Sequence, residues 1–347
     1  MGLPPSALHF AGCLVGQALG DALGFPVEGT PPGTCQQYVE EVLRSGRAAQ
    51  AHRFGYPPLQ YTDDTQLARE LMRSLVERRG FDPEDYAARI ATIFREDRIV
   101  GRGRATDQAA RRLNRGIPWD QAGTPPPSAG NGTAMRAAPV GLFYWNDEEA
   151  MLRAAHLQGF ITHQDPRCSA GSIAIAGAVW LALRMRPLDA RAFAGQLAAW
   201  TRSWDPHLAE GLLRLPAWAQ LPPEEAVKSI GRVGMEPRYW DLEGWQGISP
   251  FVTTSVLWSL YAFLHSPDDY WATVCTAIAV GGDVDTTGAM AGAVSGAYLG
   301  LSSLPEDLAR GVNDRGSWGY EDLVRLAEAC YRVAVDAQGQ DPVPPSP

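Results

Sequence analysis

Apolar positions recur at helical spacing along most of this chain, and no series of segments alternates apolar and polar residues as half-buried strands do. The first helical segment, 6–24 (SALHFAGCLVGQALGDALG), is apolar nearly all round and aligns Gly12, Gly16 and Gly20 four apart on one stripe. Each glycine costs about 1 kcal/mol against alanine inside a helix, so such a stripe implies that another backbone or a ligand comes close. In YTDDTQLARELMRSLVERRG, Leu67, Leu71 and Leu75 recur every four residues, and Arg78, Arg79 and Gly80 give a C-terminal signal. Further helices are expected at 83–97, 104–115, 147–158, 168–185, 189–203, 251–264, 268–280, 286–301 and 319–336. The stretch 25–61 is rich in proline and glycine, with one short helix expected around TCQQYVEEVLRSG. Loops rich in Pro, Gly and Trp are expected at 116–133 and 204–250. The tail AQGQDPVPPSP, 337–347, is expected to be disordered. The pattern predicts an all-α protein with one helical domain over 1–336.

Composition narrows the function classes. Of 347 residues, 45% are hydrophobic and 20% charged, as in a globular protein with a real core. The net charge of −9 argues against a basic nucleic-acid footprint and against attraction to a membrane surface. The apolar runs 168–183 and 251–264 fall short of the roughly 20 residues that a spanning helix needs. No basic segment leads into a clean apolar stretch at the N-terminus, so no signal peptide and a cytoplasmic location are expected. The five cysteines are widely spaced without a C-x-x-C, which speaks against a disulfide framework or a zinc cluster. A monomer is expected.

Candidate chemistry lies in polar residues set at the starts of apolar helices. Thr62, Asp63 and Asp64 open one helix, and Asp283, Asp285 and Thr286 precede another. Singly, each motif is explained by helix capping, with Thr62 or Asp63 and Asp285 or Thr286 as caps. Capping does not account for a carboxylate doublet and a D-x-D that both carry threonines. Four carboxylates at buried helix starts repel one another unless cations neutralise them, and an all-oxygen set suits Mg²⁺ or Mn²⁺. Two glycines bracket Asn131 in SAGNGTAMRAAP ahead of an expected helical TAMRAA, leaving backbone amides open to a ligand. GRGRATDQAARRL is a second loop leading into a helix, without the third glycine of a dinucleotide fingerprint. His163, in FITHQDPRCSAGS, precedes a polar turn and a buried helix.

Together these motifs resemble the ADP-ribosylglycohydrolase family. The resemblance covers roughly 6–301 and rests on GCLVGQALGDALGFPVE, YTDDTQ, GRGRATDQAARRL, GNGTAMR, THQDPRCSAG and GGDVDTTGAMAGA, in family order. It implies a compact orthogonal bundle of helices with a dinuclear metal site in a central cleft, holding two divalent cations, Mg²⁺ or Mn²⁺. By resemblance, Thr62, Asp63, Asp64, Asp283, Asp285 and Thr286 are metal ligands. Gly101 and Gly103 resemble the loop on the diphosphate of ADP-ribose. Ser128, Gly130, Asn131 and Gly132, with Met135 after them, resemble the segment lining the distal ribose. His163 matches the family's histidine beside the ligand, and Glu28 an acidic residue of an entrance segment. Ala129 stands where some relatives carry an aromatic residue.

The resemblance implies hydrolysis of the glycosidic bond at the anomeric carbon of ADP-ribose, releasing it from a protein side chain or other acceptor. Asp283 is then the candidate base and Glu28 the candidate acid. Two alternatives stand beside it. A metal-dependent nucleotide phosphohydrolase would also use paired aspartates and would release inorganic phosphate; the His-Asp pair of one helical phosphohydrolase group is absent. A non-catalytic ADP-ribose-binding relative would be expected to lack part of the ligand set, and all six proposed ligands are present.

Overall fold

The structure, a computed structural model, describes residues 5–235 and 246–336. Helices follow one another with no strand among the described residues, only isolated bridge pairs between loops. In chain order they are α1 (Ala7–Gly24), α2 (Pro32–Tyr38), α3 (Asp63–Arg78), α4 (Pro83–Arg95), α5 (Arg104–Asn114) and α6 (Trp119–Ala122). Then come α7 (Ala138–Phe143), α8 (Glu148–Phe160), α9 (Pro166–Ala182), α10 (Ala190–Thr201), α11 (Pro206–Trp218) and α12 (Pro223–Ile230). The last are α13 (Val252–His265), α14 (Tyr270–Ala279), α15 (Val284–Leu299), α16 (Glu306–Ala309) and α17 (Tyr320–Asp336). The expected all-α fold holds. The expected disordered tail lies outside the described residues.

The glycine stripe of α1 meets a matching stripe on α15. A Cβ on Gly12, Gly16 or Gly20 would lie under 3.0 Å from the carbonyl of Gly296, Gly292 or Gly288 respectively, and the reverse holds for each partner. The paired numbers run in opposite directions, so the two helices are antiparallel with their backbones in contact. Burial explains the apolarity of α1: Ala7–Val27 is long and apolar enough to cross a membrane, yet 94% of its most apolar window is buried in the fold. Among the described residues the main hydrophobic core extends from Phe10 to Ala334, beside a small cluster of Ala262, Ala277 and Ala291.

Two expectations about loops are corrected. The region 116–133 contains the short α6, and the region 204–250, of which 236–245 lies outside the described residues, contains α11 and α12. Their prolines are start signals: Pro206 follows the N-cap Asp205, and Pro223 follows Pro222. A proline in the first turn loses no hydrogen bond, since its N–H would have no helical partner. Conversely, TAMRAA is not an α-helix. A 3₁₀ turn over Asn131–Thr133 leads through turns to α7, where Pro139 sits in the first turn.

Candidate active site

The α1–α15 seam places the C-terminal half of α1 beside the N-terminus of α15, and the site grows from there. Gln17 and Asp21, one turn apart, are buried polar residues of an otherwise apolar helix. Asp21 accepts from the backbone N–H of Thr62 (2.9 Å) and of Thr65 (3.1 Å), and from both their hydroxyls (3.0 and 2.7 Å). It thereby satisfies N–H groups that the first turn of α3 would leave without partners. Gln17 Nε2 donates to the carbonyls of Asp64 (3.1 Å) and Met135 (2.8 Å). Thr62 is the N-cap of α3, accepting from the Asp64 N–H. Its hydroxyl is engaged by Asp21 and Asp64 (3.2 Å) and does not line the cleft.

The second acidic motif is presented differently from a capped helix. Gly281 and Gly282 both take left-handed backbone angles (φ 76° and 89°), and a Cβ on Gly282 would strike the backbone of Ile248. This kink is pinned by Asp283 N–H to Ile248 O (2.8 Å), Gly29 N–H to Gly282 O (2.7 Å) and Gly282 N–H to Thr30 O (2.9 Å). The last two bonds draw the Glu28 segment onto the motif. Asp285 and Thr286 lie inside the first turn of α15, and Asp283 at the N-cap position makes no capping bond. The capping expectation is therefore corrected. Asp283 Oδ2 instead accepts from Asn131 Nδ2 at 2.5 Å, and Asp285 Oδ1 accepts from the Thr286 N–H at 2.8 Å.

Two loops close the cleft. Val100 accepts from the Asp63 N–H (2.7 Å), while Gln66 Oε1 takes the Val100 N–H (2.8 Å) and Gln66 Nε2 donates to Arg98 O (2.9 Å). Gly101 follows with φ 74°, so close to Asp63 that a Cβ would lie 2.5 Å from its Oδ1. Opposite, Asn131 N–H bonds Pro250 O (2.9 Å), and Val252 N–H bonds Ala129 O (3.0 Å). The resulting cavity, about 390 Å³, is lined by Glu28, Asp63, Asp64, Gly101, Gly103, Ser128, Gly130, Asn131, Gly132, Met135, His163, Asp283, Asp285 and Thr286. All candidates except Thr62 thus meet in one cleft. Arg102, Arg104, Thr106 and Pro250 also line it without having been singled out from the sequence.

Electrostatics here are dominated by carboxylates. Single oxygens of Glu28, Asp283 and Asp285 come within 4.8 Å of one another. Burial, then Asp21 and Glu28, pushes Asp63 up to about 7. Burial also raises Asp283, to about 6, against the hydrogen bond from Asn131. Asp64 and Asp285 are raised well above the usual carboxylate range, first by burial and then by neighbouring acidic groups. Among the described residues, the one ion pair to this group is Arg53 Nη1 to Glu28 Oε2, at 2.5 Å. Asp64 Oδ1 is buried with no hydrogen-bond partner among the described residues. An all-oxygen donor set with an orphaned buried carboxylate oxygen fits hard divalent cations.

The sequence model described as ADP-ribosylglycohydrolase matches residues 5–340. The chain belongs to the ADP-ribosylglycohydrolase family. It is 30% identical to the human ADP-ribosylhydrolase ARH3 over 362 residues, covering 96% of this chain and 95% of that protein. It is 25% identical over 336 residues to the ADP-ribosylarginine hydrolase Tri1 of Pseudomonas putida, covering 94% of this chain and 79% of that one. A solved structure described as an ADP-ribosylglycohydrolase-related protein complex superposes with a TM-score of 0.70 at 30% identity. That match covers 94% of this chain and 98% of the other.

Proposed function

We propose that this family member is a metal-dependent ADP-ribosyl hydrolase that cleaves the glycosidic bond at the anomeric carbon of the distal ribose. The observation carrying this reading is the convergence of Asp63, Asp64, Asp283, Asp285 and Glu28 on one cleft that also holds two glycine loops and His163. Asp63, Asp64, Asp283, Asp285 and Thr286 would hold two cations, Mg²⁺ or Mn²⁺, with Thr62 bracing Asp64 from outside the cleft. When bound, the cations supply charge neutralisation, grip on ribose hydroxyls and Lewis-acid activation of water.

The chain's own residues do the rest. The Gly101–Gly103 loop, leading into the N-terminus of α5, offers backbone amides to the diphosphate. Ser128, Gly130, Asn131 and Gly132 admit the ribose closely because glycine leaves room there. Asp283, held by Asn131, accepts the proton of the attacking water. Glu28, on the entrance segment, orients and protonates the leaving group as the oxocarbenium-like centre develops. ADP-ribose bound to a protein side chain or another acceptor is the proposed substrate class.

The test is a panel of ADP-ribosylated arginine, serine and nucleic-acid substrates, plus free nucleotides, incubated with the protein and Mg²⁺ or Mn²⁺. Free ADP-ribose with a regenerated acceptor is expected. Inorganic phosphate as the product would make the protein a nucleotide phosphohydrolase instead.

A further inference from the structure

His163 is held at both its backbone and its ring. Its backbone is clamped by the bridge to Thr124, through Thr124 N–H to Thr162 O (2.8 Å) and Gln164 N–H to Thr124 O (2.9 Å). Its Nδ1 lies 2.8 Å from Thr162 Oγ1. The opposite edge faces the cleft glycines: a Cβ on Gly132 would lie 3.0 Å from Cε1, and one on Gly130 3.6 Å from Nε2. Nε2 has no hydrogen-bond partner among the described residues.

Arg136 decides where the Thr162 proton goes. This arginine is fully buried, and its Nε and Nη2 are fixed by the Gln158 side chain (2.8 Å) and carbonyl (3.0 Å). Gln158 is itself anchored to Thr133 O (2.9 Å) and Ser172 Oγ (2.6 Å). Arg136 Nη2 also donates to Thr162 Oγ1 at 2.7 Å, so that oxygen is already an acceptor. Its single proton then has two destinations, His163 Nδ1 at 2.8 Å or Gly159 O at 3.4 Å; the second lies beyond the usual O–H···O range and would also turn a ring N–H onto an oxygen already facing the Arg136 guanidinium, so the first is favoured. A histidine that accepts at Nδ1 carries its proton at Nε2.

We infer that Arg136 and Thr162 are positioning residues that lock His163 in its Nε2–H tautomer, so that it offers the ligand a fixed hydrogen-bond donor. Burial and the Arg136 charge, opposed by Asp165, hold the imidazole down to about 3, which agrees with a ring that stays uncharged. His163 then pairs with an acceptor oxygen of the bound ADP-ribose and takes no part as acid or base. This rests on the hydrolase reading only for the identity of the ligand.

Long-range ¹H–¹⁵N spectra of the metal-free protein labelled in histidine test it at pH 7.5, with the His163 signals assigned by their loss in His163→Gln. The expected pattern is an unprotonated Nδ1 and a protonated Nε2. An Nδ1–H tautomer in the wild type would overturn the inference, and this spectrum decides even if a variant does not fold. Thr162→Val is expected to populate the other tautomer and weaken ADP-ribose binding about tenfold by calorimetry, while Thr162→Ser preserves both. A Thr162→Val protein that keeps Nε2–H and full affinity would count against it. Failure of the wild type to bind ADP-ribose would instead contradict the hydrolase reading and leave the tautomer result standing.

Discussion

Asp63 and Asp283 titrate near 3.8 when unfolded, but burial lifts them to about 7 and about 6 in the fold. Across that window the folded state binds more protons than the unfolded one, so these groups stabilise fully below about pH 4 and lose that contribution as pH rises towards 7. His163 works the other way, losing its contribution as pH falls from 6.5 towards 3. Divalent cations should therefore raise the melting temperature much more at pH 7.5 than at pH 5, where protons already neutralise the carboxylates. Asp285→Asn should stabilise the metal-free protein at pH 7.5 by on the order of 1 kcal/mol in urea unfolding. The same change should lower hydrolysis at least about 100-fold, since it removes a carboxylate of the cluster. The cluster itself was legible because its residues sit in short motifs beside threonines and glycines. Asp21 was not assigned, because its four bonds run to residues 41 and 44 positions away. The available signal was a buried Gln and Asp at i, i+4 on an apolar helix. Asp314, which accepts from Gln66 (2.9 Å) and buried Arg69 (2.9 Å) behind the start of α3, left no local trace at all.

Helix pairing explains how the acidic motifs reach one another. The seam between α1 and α15 allows carbonyl-to-glycine contact along three turns, and any side chain there forces the helices apart. Gly20→Ala is expected to destabilise by about 1–3 kcal/mol through overpacking and to weaken cation binding by displacing the N-terminus of α15. Gly195→Ala is the matched control, because the added methyl in α10 meets nothing within 4 Å among the described residues. That change should be neutral or stabilise by about 0.5–1 kcal/mol, as read from urea midpoints. The stripe of Gly12, Gly16 and Gly20 announced a close approach, but its partner could not be named from α1 alone. Helices α11 and α12 were missed for a different reason. Pro206 and Pro223 are equally good loop residues and helix starts, and the tertiary packing of α11 and α12 that decides between them is invisible in a local window.

The whole molecule brings its N-terminal and C-terminal acidic motifs, some 220 positions apart, onto one cleft. Such a bundle spends buried space on charges that weaken it unless something binds between them, and this ties cation binding to the activity proposed. The fold and family were legible because several weak motifs occur in one order over most of the chain. The acceptor was not, since it would be recognised by surfaces around the cleft mouth that carry no comparable signature. The most direct measurement is the release of free ADP-ribose from an ADP-ribosylated acceptor, followed by mass spectrometry, with native, EDTA-treated and Mg²⁺- or Mn²⁺-restored protein. Release by the native protein, its loss in EDTA and its return with either cation are expected. Full release after complete removal of metal, or no release of ADP-ribose from any acceptor, would contradict the proposed metal-dependent hydrolysis.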